Sequence, residues 1–285
     1  MTVEVLQSRS RPRRRAGAIG FWAGAGLTGL FTAAALLSMV WTPWDPSALN
    51  IAGALAPPSW AHPFGVDQLG RDVLSLVIAG SRNALVVALA AVGLGLAGGV
   101  PLGLLAAARR GWVEELVMRS ADIVFAFPAL LSAVMIAAVL GPGVLNAILA
   151  IGVFNIPVFA RLTRAAALPL WTRDWTLAAR MAGKNDLRIS LEHVLPNLAG
   201  LLVVQATIQF SIAIIAEAGL SYIGLGAQPP TPSWGRMLND AQTLVATAPW
   251  LALFPGLAIA LTVLGLGLLG EALRDHLAPR LRAPR

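Results

Sequence analysis

Five stretches of this chain contain no Asp, Glu, Lys or Arg for long enough to cross a lipid bilayer: 16–41, 83–108, 123–160, 193–216 and 241–270. A helix needs about 20 apolar residues to cover roughly 30 Å of hydrocarbon. The third run is long enough for two crossings, and Gly141-Pro142-Gly143 near its middle both breaks a helix and turns the chain. The spacing therefore predicts an all-α membrane protein of six transmembrane helices. Composition agrees, since 57% of the 285 residues are hydrophobic and 12% charged, about half the charged share of a soluble domain.

Positions of Arg and Lys set the orientation. Segments 1–15, 109–119, 161–188 and 273–285 hold 18 of the 21 basic residues, and the loops between them keep only Arg71, Arg82 and Arg236. Basic residues gather on the cytoplasmic side, so both termini are expected there. The chain then divides into a basic cytoplasmic N-terminus (1–15), a first span (16–41), an extracytoplasmic loop (42–81), a membrane core (82–272) and a basic cytoplasmic tail (273–285). Arg13-Arg14-Arg15 before an apolar run could also open a signal peptide, but 26 uncharged residues outrun the roughly 7–15 of such a segment. The formal charge of +7 is spent on topology, with no soluble basic face for nucleic acid. Without cysteine there is no disulfide, thiolate metal site or cysteine nucleophile.

The remaining chemistry is sparse. His62, Asp67 and Asp72 could be imagined as metal ligands, but no second His is near and Asp beside Gly or Pro is ordinary turn chemistry, so no metal is expected. The span interiors carry no acid of the kind that serves ion-driven carriers; Asp122, Glu217 and Glu271 are expected at span ends, within reach of water or headgroups. The one lysine, Lys184, precedes Asn185, so no P-loop exists to hold ATP. No Ser/His or paired-acid arrangement sits within a span to serve an intramembrane enzyme. GLGLAGG (93–99) reads as close helix packing.

One cytoplasmic stretch stands apart: AARMAGKNDLRISLEHVLPN, residues 178–197. Leu187, Leu191 and Val194 fall on one helical face, Arg180, Lys184 and Arg188 on another, and Gly183 separates the halves. That pattern suits a docking surface for a second chain, or basic residues that only enforce topology.

This stretch resembles the coupling loop of ABC importer permeases, a motif of Glu-Ala-Ala, three residues, Gly, then nine residues and a hydrophobic-x-Leu-Pro ending. Ala178, Ala179, Gly183, Leu195 and Pro196 fall in register; Leu177 replaces the Glu, and His193 opens a His-x-Leu-Pro-Asn ending that closes on Asn197. Three further segments are similar to permeases of dipeptide, oligopeptide and nickel importers: HPFGVDQLGRD (His62, Gly65, Asp67, Gly70, Arg71, Asp72), GLSYIGLGAQPPTPSWGRML (Pro229, Pro230, Trp234, Gly235) and LRDHLAPRLR near the C-terminus. The best match is to the second of the two permeases in such systems.

The resemblance implies a type I importer fold in the bacterial cytoplasmic (inner) membrane, with the coupling loop at about 165–195. It implies a second homologous permease, two ATPase subunits that bind ATP and Mg, an extracytoplasmic substrate-binding protein, surrounding lipid, and no cofactor in this chain. Cargo would be a peptide or a related small solute, with nickel chelate or haem-like cargo as alternatives. ATP-driven closure would rock the spans between inward- and outward-facing states.

Overall fold

The computed structural model describes residues 12–277, with side chains from Ile19 to His276 except at 129, 130 and 137. The basic segment 1–11 and the last eight residues of the tail lie outside the described residues. Among those described, the only β pairing is an isolated bridge between Val66 and Asp72; the rest is helix and connection.

The long helices are α1 (Pro12–Leu37), α2 (Val73–Ala108), α5 (Val144–Ala167), α8 (Leu195–Tyr222) and α10 (Trp250–Leu277). All five are long and apolar enough to cross a membrane. The sixth expected span is a broken one. α3 (Trp112–Ala126) and α4 (Ala129–Leu140) meet at 87°, and together they pass the same test. Phe127-Pro128 forms the break, because proline disfavours helical geometry in the residue before it.

Several helix ends differ from the charge-free runs, two of them for physical reasons that can be named. α2 starts at Val73, ten residues early, because Asp72 caps it by accepting the Ser75 N–H at 2.8 Å, and because Arg82 sits on an exposed helical face where a charge does not end a helix. At the other end of the chain, α10 starts at Trp250 and not near 241. Residues 234–241 form a separate short helix, α9 (Trp234–Ala241), and turns lead from it to Pro249.

Contacts give the helix directions. Gly95, Gly99 and Gly103 of α2 lie against Asn155, Ile156 and Ala160 of α5 in ascending order, so these helices run parallel. A Cβ on any of the three would come within 2.4–2.5 Å of α5, which makes the stripe a close-packing seam as the glycine cluster implied. α8 runs against both, with Gln209 beside Asn155 and Glu217 beside Asn83. α1 and α10 pair antiparallel, Phe21 meeting His276 at 6.2 Å and Gly24 lying against Leu269. The start of α1 and the end of α10 therefore share one end of the bundle, together with the 168–194 segment. Residues 42–72, the 141–143 turn and 223–249 share the other.

The main core joins Val87, Ala88 and Ala91 of α2 to Ala150, Ile151 and Phe159 of α5 and to Ala213 and Ile214 of α8, all buried. A smaller core at the outer end holds Val73, Ala241, Ala248 and Leu251, with Phe64 and Phe254 stacked at 3.9 Å beside it. Leu253, Leu257, Leu261 and Leu264 stay exposed along one face of α10, an apolar stripe suited to lipid.

Candidate functional site

The inner-end segment that the sequence singles out folds as two short helices around Gly183. α6 (Asp174–Met181) ends where Gly183 adopts φ +79°. The Gly183 N–H donates to the Arg180 carbonyl at 2.9 Å and the Lys184 N–H to the Ala179 carbonyl at 3.1 Å, the paired closure that left-handed glycine permits. Asn185 then caps α7 (Asp186–Ile189) by accepting the Arg188 N–H at 2.9 Å. A wide turn of π-helix, Ser190–Val194, leads straight into α8.

Charged side chains brace this turn. Lys184 Nζ donates to Glu192 Oε2 at 2.5 Å and lies 3.1 Å from His193 Nε2; Arg188 Nε donates to Glu192 Oε1 at 2.5 Å. Hydrogen bonds from Arg188 and Lys184 hold the Glu192 carboxyl down at about 2. Arg180 donates to Asp186 and lies over the Trp171 ring. Pro196 enters the first turn of α8, where no N–H is needed, and Asn197 Nδ2 donates back to the His193 carbonyl.

The expected apolar face does not form as one stripe. Val194 is fully buried, whereas Leu187 and Leu191 are exposed, because the π turn adds a residue and rotates Val194 inward. Leu187 and Leu191 add to the apolar surface of the segment along with Leu177 and Met181, the last 90% exposed. Ala178 is exposed but Ala179 is buried against this chain, so the two alanines of the motif have different surroundings. Gly183 has open space around it, and its backbone angle is what calls for glycine.

At the outer end the motif residues form turns and packing contacts. Asp67 accepts the Leu69 and Arg71 N–H groups at 2.8 Å and Arg71 Nε at 2.7 Å; His62 Nδ1 lies 2.9 Å from Asp72 Oδ1. Gly65 and Gly70 hold positive φ, and Gly65 abuts the Trp250 ring. Trp234 Nε1 donates to the Val77 carbonyl at 2.9 Å, and Gly235 packs so tightly on Ala218 that a Cβ would lie 1.9 Å from its carbonyl oxygen. Pro229 and Pro230 line a cavity of about 170 Å³ with Arg71, Arg236 and Asp240, whose carboxyl burial pushes up.

A second expectation is overturned at the outer end. Glu217 is not solvated at a span end: it is 1% exposed, because α8 continues to Tyr222 and residues 223–241 fold back over it. Its Oε1 accepts from Asn83 Nδ2 at 2.8 Å, Ser221 Oγ at 2.8 Å and Ser233 Oγ at 2.9 Å. The Glu217/Ser221 spacing of four is visible in sequence; Asn83 and Ser233 carried no signal. A second buried polar pair also went unforeseen. Gln209 Nε2 donates to Asn155 Oδ1 at 2.7 Å, and both side chains border an otherwise apolar groove of about 510 Å³ walled by Phe125, Ile151, Phe154 and Ile212.

Residues 99–283 match the family of binding-protein-dependent transport system inner membrane components. The chain is 45% identical over 246 residues to the di/tripeptide transport system permease protein DppC of Pseudomonas aeruginosa, covering 84% of this chain and 81% of that one. It is 48% identical over 225 residues to the glutathione transport system permease protein GsiD of Escherichia coli, covering 79% and 74%. A solved chain of the MetNI methionine ABC transporter, in an inward-facing conformation, superposes with a TM-score of 0.59 at 20% identity, over 71% of this chain and 96% of that one, and shares the fold. The chain belongs to the binding-protein-dependent transport system inner membrane component family and is a multi-pass permease subunit of an ABC importer, a transport protein and not an enzyme.

Proposed function

We propose that this chain is one of two homologous permeases in a bacterial cytoplasmic-membrane importer of di- or tripeptides or of a small peptide such as glutathione. Two ATPase subunits bind ATP and Mg at the inner end, an extracytoplasmic binding protein delivers cargo at the outer end, and this chain itself holds no cofactor. The observation that carries the reading is the capped helix pair around Gly183, with Leu177, Met181, Leu187 and Leu191 left exposed on a segment that feeds directly into α8. The names of the relatives support peptide cargo. The groove beside Asn155 and Gln209 supplies this chain's half of the path, and its apolar walls suit weak, transient contact with cargo.

Uptake by the assembled complex in proteoliposomes tests this. Labelled dipeptide or glutathione should enter only with ATP, and entry should continue when the proton gradient is collapsed. Uptake that follows the proton gradient contradicts the ATP-driven reading. ATP-dependent uptake competed by a nickel chelate or haem and not by peptide keeps the importer and replaces its cargo.

A further inference from the structure

α8 joins the two ends of the molecule. It starts at the last residue of the coupling segment and runs 28 residues, about 42 Å, to Tyr222. At its far end the segment 223–241 is tied back to it repeatedly. Ser221 Oγ accepts the Ala227 N–H at 3.1 Å, the Tyr222 carbonyl accepts from Asn239 Nδ2 at 2.7 Å, and Gly235 lies in van der Waals contact with Ala218. The 141–143 turn joins the same cluster, its Gly143 N–H donating to the Leu225 carbonyl at 3.2 Å.

Glu217 is the centre of these ties. A single oxygen receives donors from three separate elements: Asn83 of α2, Ser221 of α8 itself, and Ser233 at the entry to α9. All four residues are buried, so no water competes for these bonds. A carboxyl oxygen suits this place because one atom accepts all three donors and brings no N–H needing a partner, while the other oxygen, Oε2, is buried without a hydrogen bond.

Resting on the importer reading above, we infer that Glu217 is the positioning residue that fixes the outer segment 223–241 to α8 and α2, so that displacement of the coupling segment reaches the outer face. ATP-driven motion at 174–194 enters α8 at Leu195. With the Glu217 joint intact, segment 223–241 moves with the helix. With the joint broken, the Ser233 end of the segment stays on α2 through Trp234 on Val77 and follows α8 only through the weaker ties at Ser221, Tyr222 and Ala218.

The test uses the complete complex with an environment-sensitive fluorophore on a single cysteine, at Met181→Cys for the inner end or Gln228→Cys for the outer end. Vanadate trapping of nucleotide should change both signals in the parent. Ser233→Ala, which removes one donor and leaves the acid in place, should keep the inner response and lose most of the outer one, and Ser233→Thr, which restores a hydroxyl, should bring it back. Glu217→Asp, with its acceptor withdrawn by one methylene, should behave as Ser233→Ala. An outer response unchanged in both Ser233→Ala and Glu217→Asp overturns the inference while leaving the importer reading intact. Absence of the inner response in the parent complex overturns the importer reading, and the inference with it.

Discussion

The two ends of α8 are held in opposite ways. At the outer end a buried carboxyl gathers three hydrogen bonds, from α2, from α8 itself and from the entry to α9, and a tryptophan and a glycine seal the joint. At the inner end the chain turns by backbone rules, left-handed Gly183 and the Asn185 cap, while Glu192, Lys184 and Arg188 brace it at the surface. Buried polar bonds are costly to leave unmade, whereas exposed ion pairs add little. At the outer end of α8 the joint around Glu217 closes on residues of this chain, although Trp60 and Ile51 of the neighbouring loop stay exposed. The inner end leaves apolar side chains as large as Met181 and Leu187 in the open, the surface that the docking proposed above would cover.

Glu217→Leu should have the largest effect. It removes the acceptor for Asn83, Ser221 and Ser233, and leaving even one buried donor unsatisfied costs about 1–3 kcal/mol. Thermal unfolding of the purified protein in detergent should show a clear drop in midpoint. An unchanged midpoint means that the outer end is not held through this acid.

Gly183→Val should act at the inner end alone. A branched side chain at φ +79° is strained by roughly 1–2 kcal/mol, and relief of that strain would open the turn between α6 and α7. Co-purification of ATPase subunits should fall sharply while the bundle's thermal midpoint moves little. Gly93→Val, at a position in α2 with open space around it, serves as the control and should change neither. Equal loss in both variants would show that the effect is not local to the turn.

The smallest effect belongs to Glu192. Its folded value, about 2, lies below the ordinary 4.5, so whatever it contributes is complete above about 4.5 and is lost as the pH falls through about 2. Because the group is exposed, Glu192→Gln should leave the thermal midpoint at neutral pH unchanged within error, and ATPase binding should show no pH dependence traceable to it across the neutral range. A marked fall in stability on Glu192→Gln would mean that the inner end relies on its charges as the outer end relies on Glu217.

Much of this was legible because it is local. Charge-free runs located the apolar helices, Gly141-Pro142-Gly143 the turn before α5, and Gly183 the break between short helices, since each depends on residues adjacent in sequence. Helix starts were less legible, as a capping Asp72 and an outward-facing Arg82 let α2 run through charge. The break at Phe127-Pro128 was not anticipated, and its 87° angle depends on how α3 and α4 pack on the bundle, with Arg161 and Arg164 of α5 paired to Asp122 and Glu114 of α3. Glu217 was misread because two of its partners come from elsewhere in the chain: Asn83 stands 134 residues away, and no periodicity reports a contact of that kind.

The most direct measurement is thiol protection at the inner end, which this cysteine-free chain makes clean. Single cysteines at Met181, 90% exposed, and at Gln228 on the outer segment are treated with a water-soluble maleimide in permeabilised cells, with and without the ATPase subunits. The docking reading predicts that Met181→Cys reacts freely when the ATPases are absent and is protected when they are present, while Gln228→Cys reacts equally in both. Met181→Cys labelled at the same rate with the ATPases assembled would contradict it.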